Sequence, residues 1–196
     1  NPVSQVKNKI SNNNIQETKF LLMPKSNAMP KATSSVVIKT SSYNVFFYIA
    51  DLRNWEKWSS WKKKDPIITY SYSDNTFGAG SWMEWDSKNP NVGKGKLKVV
   101  QFKKFHHINY SFEMSKPGQM KSSGEIVIEK LNDQEVKLTW TDGGKLQYPL
   151  YRWVNCFSSF KEMIEKDINE GLSNLKVLVE STPQRMLPAV KPDTLR

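Results

Sequence analysis

The sequence predicts an α+β fold in which a seven-stranded antiparallel sheet wraps around one long C-terminal helix. Three observations predict it. Between Tyr151 and Glu180 there is no proline and one glycine, Gly171, while Trp153, Phe157, Phe160, Ile164, Ile168, Leu172, Leu175 and Val179 recur every three or four positions. That spacing gathers them on one stripe of an α-helix. Between Ile67 and Thr141, apolar and polar residues instead alternate at period two, the pattern of half-buried strands. Finally, these strand segments are separated only by short turn signals, whereas parallel neighbours need crossovers of about a dozen residues. A long helix lying across such a sheet encloses a space between the two layers, and function is expected there.

The elements follow in order. Residues 1–31 are polar, Asn-rich and basic, with no periodicity beyond the short apolar patch Phe20-Leu-Leu-Met-Pro24, and read as a flexible arm. Ala32–Thr40, with Val36, Val37 and Ile38, reads as the first strand. Ser41 and Ser42 suit the start of a short helix through Ala50, because a hydroxyl accepts the free amide hydrogens of a first turn. Asp51–Trp58 reads as a second short helix or tight turn, and Lys62–Asp65 as an exposed loop before Pro66. Six strands follow: Ile67–Ser73, Gly80–Ser87, Gly95–Phe102, His107–Met114, Gly124–Leu131 and Glu135–Thr141. Asp142-Gly143-Gly144 is expected to end the sheet, with Pro149 ahead of the long helix. The domain is expected to span residues 32–181, and 182–196, which holds three prolines, reads as a tail.

Composition narrows the classes. A hydrophobic fraction of 38% with 12% aromatics is enough for a core. The net charge is +10, but the arm carries +4 of it and the tail +2, leaving +4 for the domain. Basic charge spread in this way argues against a nucleic-acid partner, which needs Lys and Arg on one rigid face. A lone cysteine, Cys156, excludes an intrachain disulfide and reads as a packed helix residue. The longest apolar run, Val45 to Ala50, falls far short of the ~20 residues that span a bilayer. With no signal-peptide pattern either, the chain is expected to be cytoplasmic or membrane-associated.

Strand parity assigns faces. Ile108, Tyr110, Phe112 and Met114 share one face of their strand, Ile126 and Ile128 of the next, and Val136, Leu138 and Trp140 of the last; all are expected to meet the helix stripe. Leu97 and Val99 oppose Lys96 and Lys98, so that lysine row reads as a solvated sheet face rather than a phosphate-binding ridge. In Trp82-Met83-Glu84-Trp85-Asp86, either the two tryptophans face opposite sides or a bulge intervenes. Glu84 is a buried polar anchor if it faces inward and a solvated rim residue if it does not.

With these residues in place, the chain resembles a known family. Val36-Val-Ile-Lys-Thr40 and Val45-Phe-Phe-Tyr-Ile-Ala-Asp-Leu-Arg-Asn-Trp-Glu-Lys-Trp-Ser-Ser-Trp61 are similar to the opening of the SRPBCC or START-like superfamily. More narrowly they resemble its bacterial polyketide cyclase/dehydrase and lipid transport group. Phe77-Gly-Ala-Gly80, Trp85, Gly93-Lys-Gly95, Thr139-Trp140 and Asp167-Ile-Asn-Glu-Gly-Leu-Ser-Asn-Leu-Lys176 continue the likeness, which runs from Ala32 to Glu180. The resemblance implies a helix-grip fold with a hydrophobic cavity for a lipid, polyketide, steroid-like or other apolar ligand. Members of the group often carry a membrane-spanning helix just before a segment like Phe20-Leu-Leu-Met-Pro-Lys25. The resemblance implies no single chemistry, since one fold hosts many functions.

The expected cavity residues are Tyr70, Trp82, Glu84, Trp85, Tyr110, Phe112, Trp140, Trp153, Phe157 and Phe160, each of which is equally compatible with plain core. No catalytic residue is assigned. His106 falls on the inward parity with Tyr110 and His107 on the outward one, both at a strand start where a histidine is more often an ordinary surface residue. HExxH, CxxC and Gly-x-Ser-x-Gly patterns are absent, so no metal site is expected and no cofactor is assigned. Three functional readings stand: binding of a small hydrophobic molecule, cyclase or dehydratase chemistry in the same cavity, or a non-catalytic module making peripheral contact with a membrane or protein surface. Nothing in the sequence addresses the oligomeric state.

Overall fold

The computed structural model describes residues 31–146 and 157–182, with side chains described for 31–143 and 161–182. The strand β1 (Ala32–Ile38) leads into helix α1 (Ser42–Ala50), a single 3-10 turn at Leu52–Asn54, and the short helices α2 (Trp55–Trp58) and α3 (Trp61–Lys64). Six strands follow, β2 (Thr69–Tyr72), β3 (Trp82–Asp86), β4 (Lys94–Lys103), β5 (His107–Lys116), β6 (Met120–Lys130) and β7 (Val136–Leu146), and then helix α4 (Phe157–Ser181). Every pairing is antiparallel, in the order β1-β7-β6-β5-β4-β3-β2. The seven-stranded sheet, the long helix and the short helices after the first strand are therefore as the sequence predicts. The arm (residues 1–30 of it), the tail from 183, Trp153 and Cys156 lie outside the described residues.

Local chemistry explains the helical segment. Ser41 caps α1 by accepting the Asn44 amide hydrogen at 3.4 Å. Asp51 caps the following turn, accepting from the Arg53 amide at 3.1 Å and from the Thr76 hydroxyl at 2.9 Å. The Arg53, Thr76 and amide bonds to Asp51 hold its carboxyl below the usual range, against the opposing effect of burial. Two indoles then lock the segment in place: Trp55 donates to the Ile49 carbonyl at 2.9 Å and Trp58 to the Tyr48 carbonyl at 3.2 Å. Both rings are buried against the sheet and α4.

The core is built from the predicted faces. Ile108, Tyr110, Ile126, Ile128, Val136 and Leu138 are buried, opposite Ile168, Leu172, Leu175 and Val179 of α4. Gly171 permits the close approach of α4, because a Cβ there would sit 3.1 Å from the Trp140 ring and 3.6 Å from Trp58.

Four expectations are corrected. Lys62–Asp65 is not a loop: Trp61–Lys64 form a helical turn, held because Trp61 stacks on Trp85 with ring centres 4.6 Å apart. The second strand is shorter than Ile67–Ser73, since Ile67 is exposed and Ser73 bonds outward to the Asn75 carbonyl. Asp142-Gly143-Gly144 does not end the sheet. β6 is long enough to pair through Ser123↔Gly143, Ser122↔Gly144 and on to Met120↔Leu146, and this ladder overrides the weak strand preference of glycine. His106 precedes β5 in a turn where Phe105 has φ 66, so strand parity does not extend to it and its side chain is exposed.

Candidate functional site

Between the inward sheet face, α4 and the Trp55–Trp61 segment lies a cavity of about 360 Å³. Its walls are chiefly apolar: Phe112, Met114 and Trp140 from the sheet, Trp55 and Trp61 from the short helices, and Met163, Ile164 and Ile168 from α4. Turns at Pro90–Val92 and Pro117–Gly118 complete the lining. Volume and composition match small-molecule sites, which occupy about 300–1,000 Å³ and combine apolar walls with a few placed polar groups.

Those polar groups stand in register across three strands. Tyr110 on β5 pairs with Gly124 on β6, which pairs with Asp142 on β7. The Tyr110 side chain crosses over Gly124 and its hydroxyl donates to Asp142 Oδ2 at 2.6 Å. That path exists only because residue 124 has no side chain: a Cβ would lie 2.1 Å from both Cζ and the hydroxyl oxygen of Tyr110. Trp140 Nε1 donates to the same Tyr110 oxygen at 2.7 Å, so indole, phenol and carboxylate form a chain with every hydrogen directed towards Asp142.

Electrostatics follow from this burial. Asp142 is pushed up to about 6 by desolvation, against hydrogen bonds from Tyr110, Ser122 and the Gly143 amide that favour the charged form. Burial and the neighbouring carboxylate push the Tyr110 phenol well above its ordinary range. Ser122, also on the cavity wall, points at the same carboxyl but completes no hydrogen bond of regular geometry within the protein. Among the described lining residues the only other charged group is Asp167, which Lys64 neutralises by a direct ion pair.

The expected site residues are dispersed by this geometry. Tyr110, Phe112 and Trp140 line the cavity. Trp85 sits one layer behind, its ring 5.0 Å from Phe112 and its indole donating to the Val92 carbonyl at 3.1 Å. Tyr70, directly opposite Trp85 in the β2–β3 pairing, shares its face but not the cavity, and burial raises its phenol to about 12. Trp82 and Glu84 are corrected outright. Strand β3 alternates without a bulge, so Met83 and Trp85 face inward while Trp82 and Glu84 face the opposite side. There Lys96 bonds Glu84 at 2.8 Å and lies 4.1 Å over the Trp82 ring. The lysine row is a solvated face as expected, with Lys98 exposed, and neighbouring Lys94 is paired with Asp86 at 2.7 Å. Phe157 and Phe160 belong to α4, but their side chains, like all of Trp153, lie outside what is described. Neither histidine lines the cavity, and no cluster of three metal-ligating side chains occurs among the described residues.

Asp142, Ser122, Trp55 and Trp61 line the cavity without having been expected there. For Asp142 the signal was available: the inward parity of Val136, Leu138 and Trp140 reaches it two residues later. Reading Asp-Gly-Gly as a strand terminus concealed it.

Comparison with known proteins agrees with this architecture. The family described as polyketide cyclase / dehydrase and lipid transport matches residues 29–180. Among solved structures, the hypothetical protein jhp0584 of Helicobacter pylori superposes with a TM-score of 0.58 at 14% identity, over 76% of this chain and 88% of its own. Ara h 8.0201 gives 0.58 at 10% identity, over 78% and 99%. BexL, a di-domain ARO/CYC from the BE-7585A biosynthetic pathway, gives 0.57 at 13% identity, over 78% of this chain and 47% of its own. At these identities the likeness is one of fold. No curated protein matches the chain.

Proposed function

Since this chain belongs to the polyketide cyclase / dehydrase and lipid transport family, we propose that it binds a small apolar molecule in the cavity between the sheet and α4. One observation carries the proposal: a space of about 360 Å³ lies between the sheet and α4 among the described aromatic side chains Trp55, Trp61, Phe112 and Trp140. Peripheral membrane contact draws no comparable support: on the sheet's outer face Lys94, Lys96 and Lys121 are paired with Asp86, Glu84 and Glu113. Among the described residues, no helix is long and apolar enough to cross a membrane.

The test is native mass spectrometry of protein purified without detergent, followed by extraction of what it carries. A co-purifying apolar molecule in wild type that is lost from Ile164→Trp, a substitution that fills the cavity, supports the proposal. Equal occupancy in the two proteins places the ligand elsewhere and refutes it.

A second reading, acid–base chemistry of the cyclase or dehydratase kind, is favoured specifically by Asp142. A carboxylate held near 6 in an apolar pocket is a competent general base at neutral pH, and Tyr110 is placed to stabilise it. The fold shared with BexL is compatible with this reading. Turnover of a polyketide-like substrate that is lost in Asp142→Asn, with binding retained, separates catalysis from carriage.

A further inference from the structure

The geometry points to a ligand that enters the cavity with a hydrogen-bond donor, a neutral hydroxyl or a cationic nitrogen, seated on Asp142, and to exclusion of organic anions such as fatty-acid carboxylates. This inference rests on the binding reading above and specifies its ligand class.

The argument begins with the capacity of the groups present. A carboxylate offers about four acceptor positions on two oxygens. Within the protein Asp142 receives the Tyr110 hydroxyl at 2.6 Å, and the Gly143 amide and Ser122 also favour its charged form. With three such partners for about four positions, acceptor capacity remains on a carboxylate that lines the cavity. Ser122 stands beside it, its Oγ buried and turned to the same carboxyl without completing a hydrogen bond of regular geometry. Both groups line one wall.

The donors nearby are already committed. Tyr110 gives its hydrogen to Asp142, and Trp140 gives its own to Tyr110. Beside Asp142 the Ser122 hydroxyl hydrogen has the carboxylate as its nearest claimant; the other serine hydroxyls of the lining, Ser59 and Ser60, belong to the Trp55–Trp61 segment. The sheet side of the cavity at Asp142 thus presents acceptors and negative charge. The groups that face Asp142 are Tyr110 from β5 and Ser122 from β6, and Trp140 shares its strand; none of them is cationic. Asp167 on α4 is the remaining charged lining residue, and its charge is cancelled by Lys64 rather than reversed. An anion placed here meets repulsion at low dielectric with no cation facing Asp142 among the described residues, whereas a donor meets the acceptor capacity left on the carboxylate.

Three probes of one shape decide the matter by isothermal titration calorimetry: 2-naphthol, 2-methylnaphthalene and 2-naphthalenesulfonate, titrated into the full chain at about pH 7.5. The expected order is naphthol tightest, by at least tenfold over methylnaphthalene, with the sulfonate weakest. The sulfonate stays anionic at every pH used, so lowering the pH to 5 is expected to strengthen it severalfold as Asp142 takes up a proton, while methylnaphthalene is unchanged. In Asp142→Asn the sulfonate is expected to bind at pH 7.5 as it binds wild type at pH 5. The wild-type pH series gives the same information should that variant fail to fold. Sulfonate binding as tight as naphthol at pH 7.5, or a naphthol-to-methylnaphthalene ratio near one, overturns the donor assignment while leaving the cavity as a binding site. Binding of none of the three overturns the cavity reading itself, and this inference with it.

Discussion

Replacing Asp142 by Asn is expected to make the protein more stable, and the gain is expected to depend on pH. The carboxyl is raised from its ordinary value of 3.8 to about 6 by burial. The folded state therefore holds its proton more tightly than the unfolded chain does. The stabilising contribution of the protonated form is complete below about 4 and is lost as pH rises through about 6. A shift of about two pKa units corresponds to roughly 3 kcal/mol of stability forfeited at neutral pH. Asn keeps an oxygen to accept the Tyr110 hydroxyl, and its amide hydrogens can meet Ser122 Oγ, so the substitution removes the charge while retaining the local bonds. The variant should exceed wild type by up to about 3 kcal/mol at pH 7.5, a rise of roughly 6–12 °C in Tm for a chain of this size. Near pH 4 the two should nearly coincide. Urea denaturation of both proteins at the two pH values gives a double difference in which every other titrating group cancels. A variant no more stable than wild type at pH 7.5, or a gap that persists unchanged at pH 4, would refute the claim that this carboxylate is held charged at a cost.

Other substitutions probe the same construction. Gly124→Ala forces a methyl group into the Tyr110 ring and should cost about 1–3 kcal/mol in urea denaturation while releasing the Tyr110–Asp142 bond. Tyr110→Phe strands both the Trp140 indole hydrogen and the Asp142 carboxylate, with an expected loss of about 1–3 kcal/mol and a further rise of the Asp142 titration point, read by NMR of the carboxyl carbon. Trp85→Ala should cost about 3–5 kcal/mol, whereas Trp82→Ala, on the outer face, should cost about 1 kcal/mol or less by the same assay; equal losses would contradict the alternation of β3.

The architecture was legible because it is written in periodicity. The stripe Ile164, Ile168, Leu172, Leu175, Val179 and the alternations around Ile108, Ile126 and Leu138 each repeat often enough that burial of one face is the single economical solution. Parity even contained the route to Asp142, since position 142 continues the series 136, 138, 140. Hydrophobic pattern is local, and a local rule survives without knowledge of the rest of the chain.

The site was decided by contacts between residues far apart in sequence. Glu84 could not be placed from its own strand, because its orientation followed from the pairing of β3 with β4 and the partnership with Lys96. Trp61 entered the cavity wall through a stack on Trp85, twenty-four residues away, which turned an expected lysine loop into a helical turn. The glycine pair after Asp142 ends a strand in isolation but not beside a β6 long enough to hold it. Most of all, the union of Tyr110, Gly124 and Asp142 depends on the registers of two strand pairs, and register is set by the whole sheet. The sequence by itself determined which faces are apolar and which elements form, because those are properties of neighbouring residues. Only the tertiary structure decided that a gap remains among the aromatic rings and that a carboxylate looks into it, because volume and burial exist only once the layers have closed.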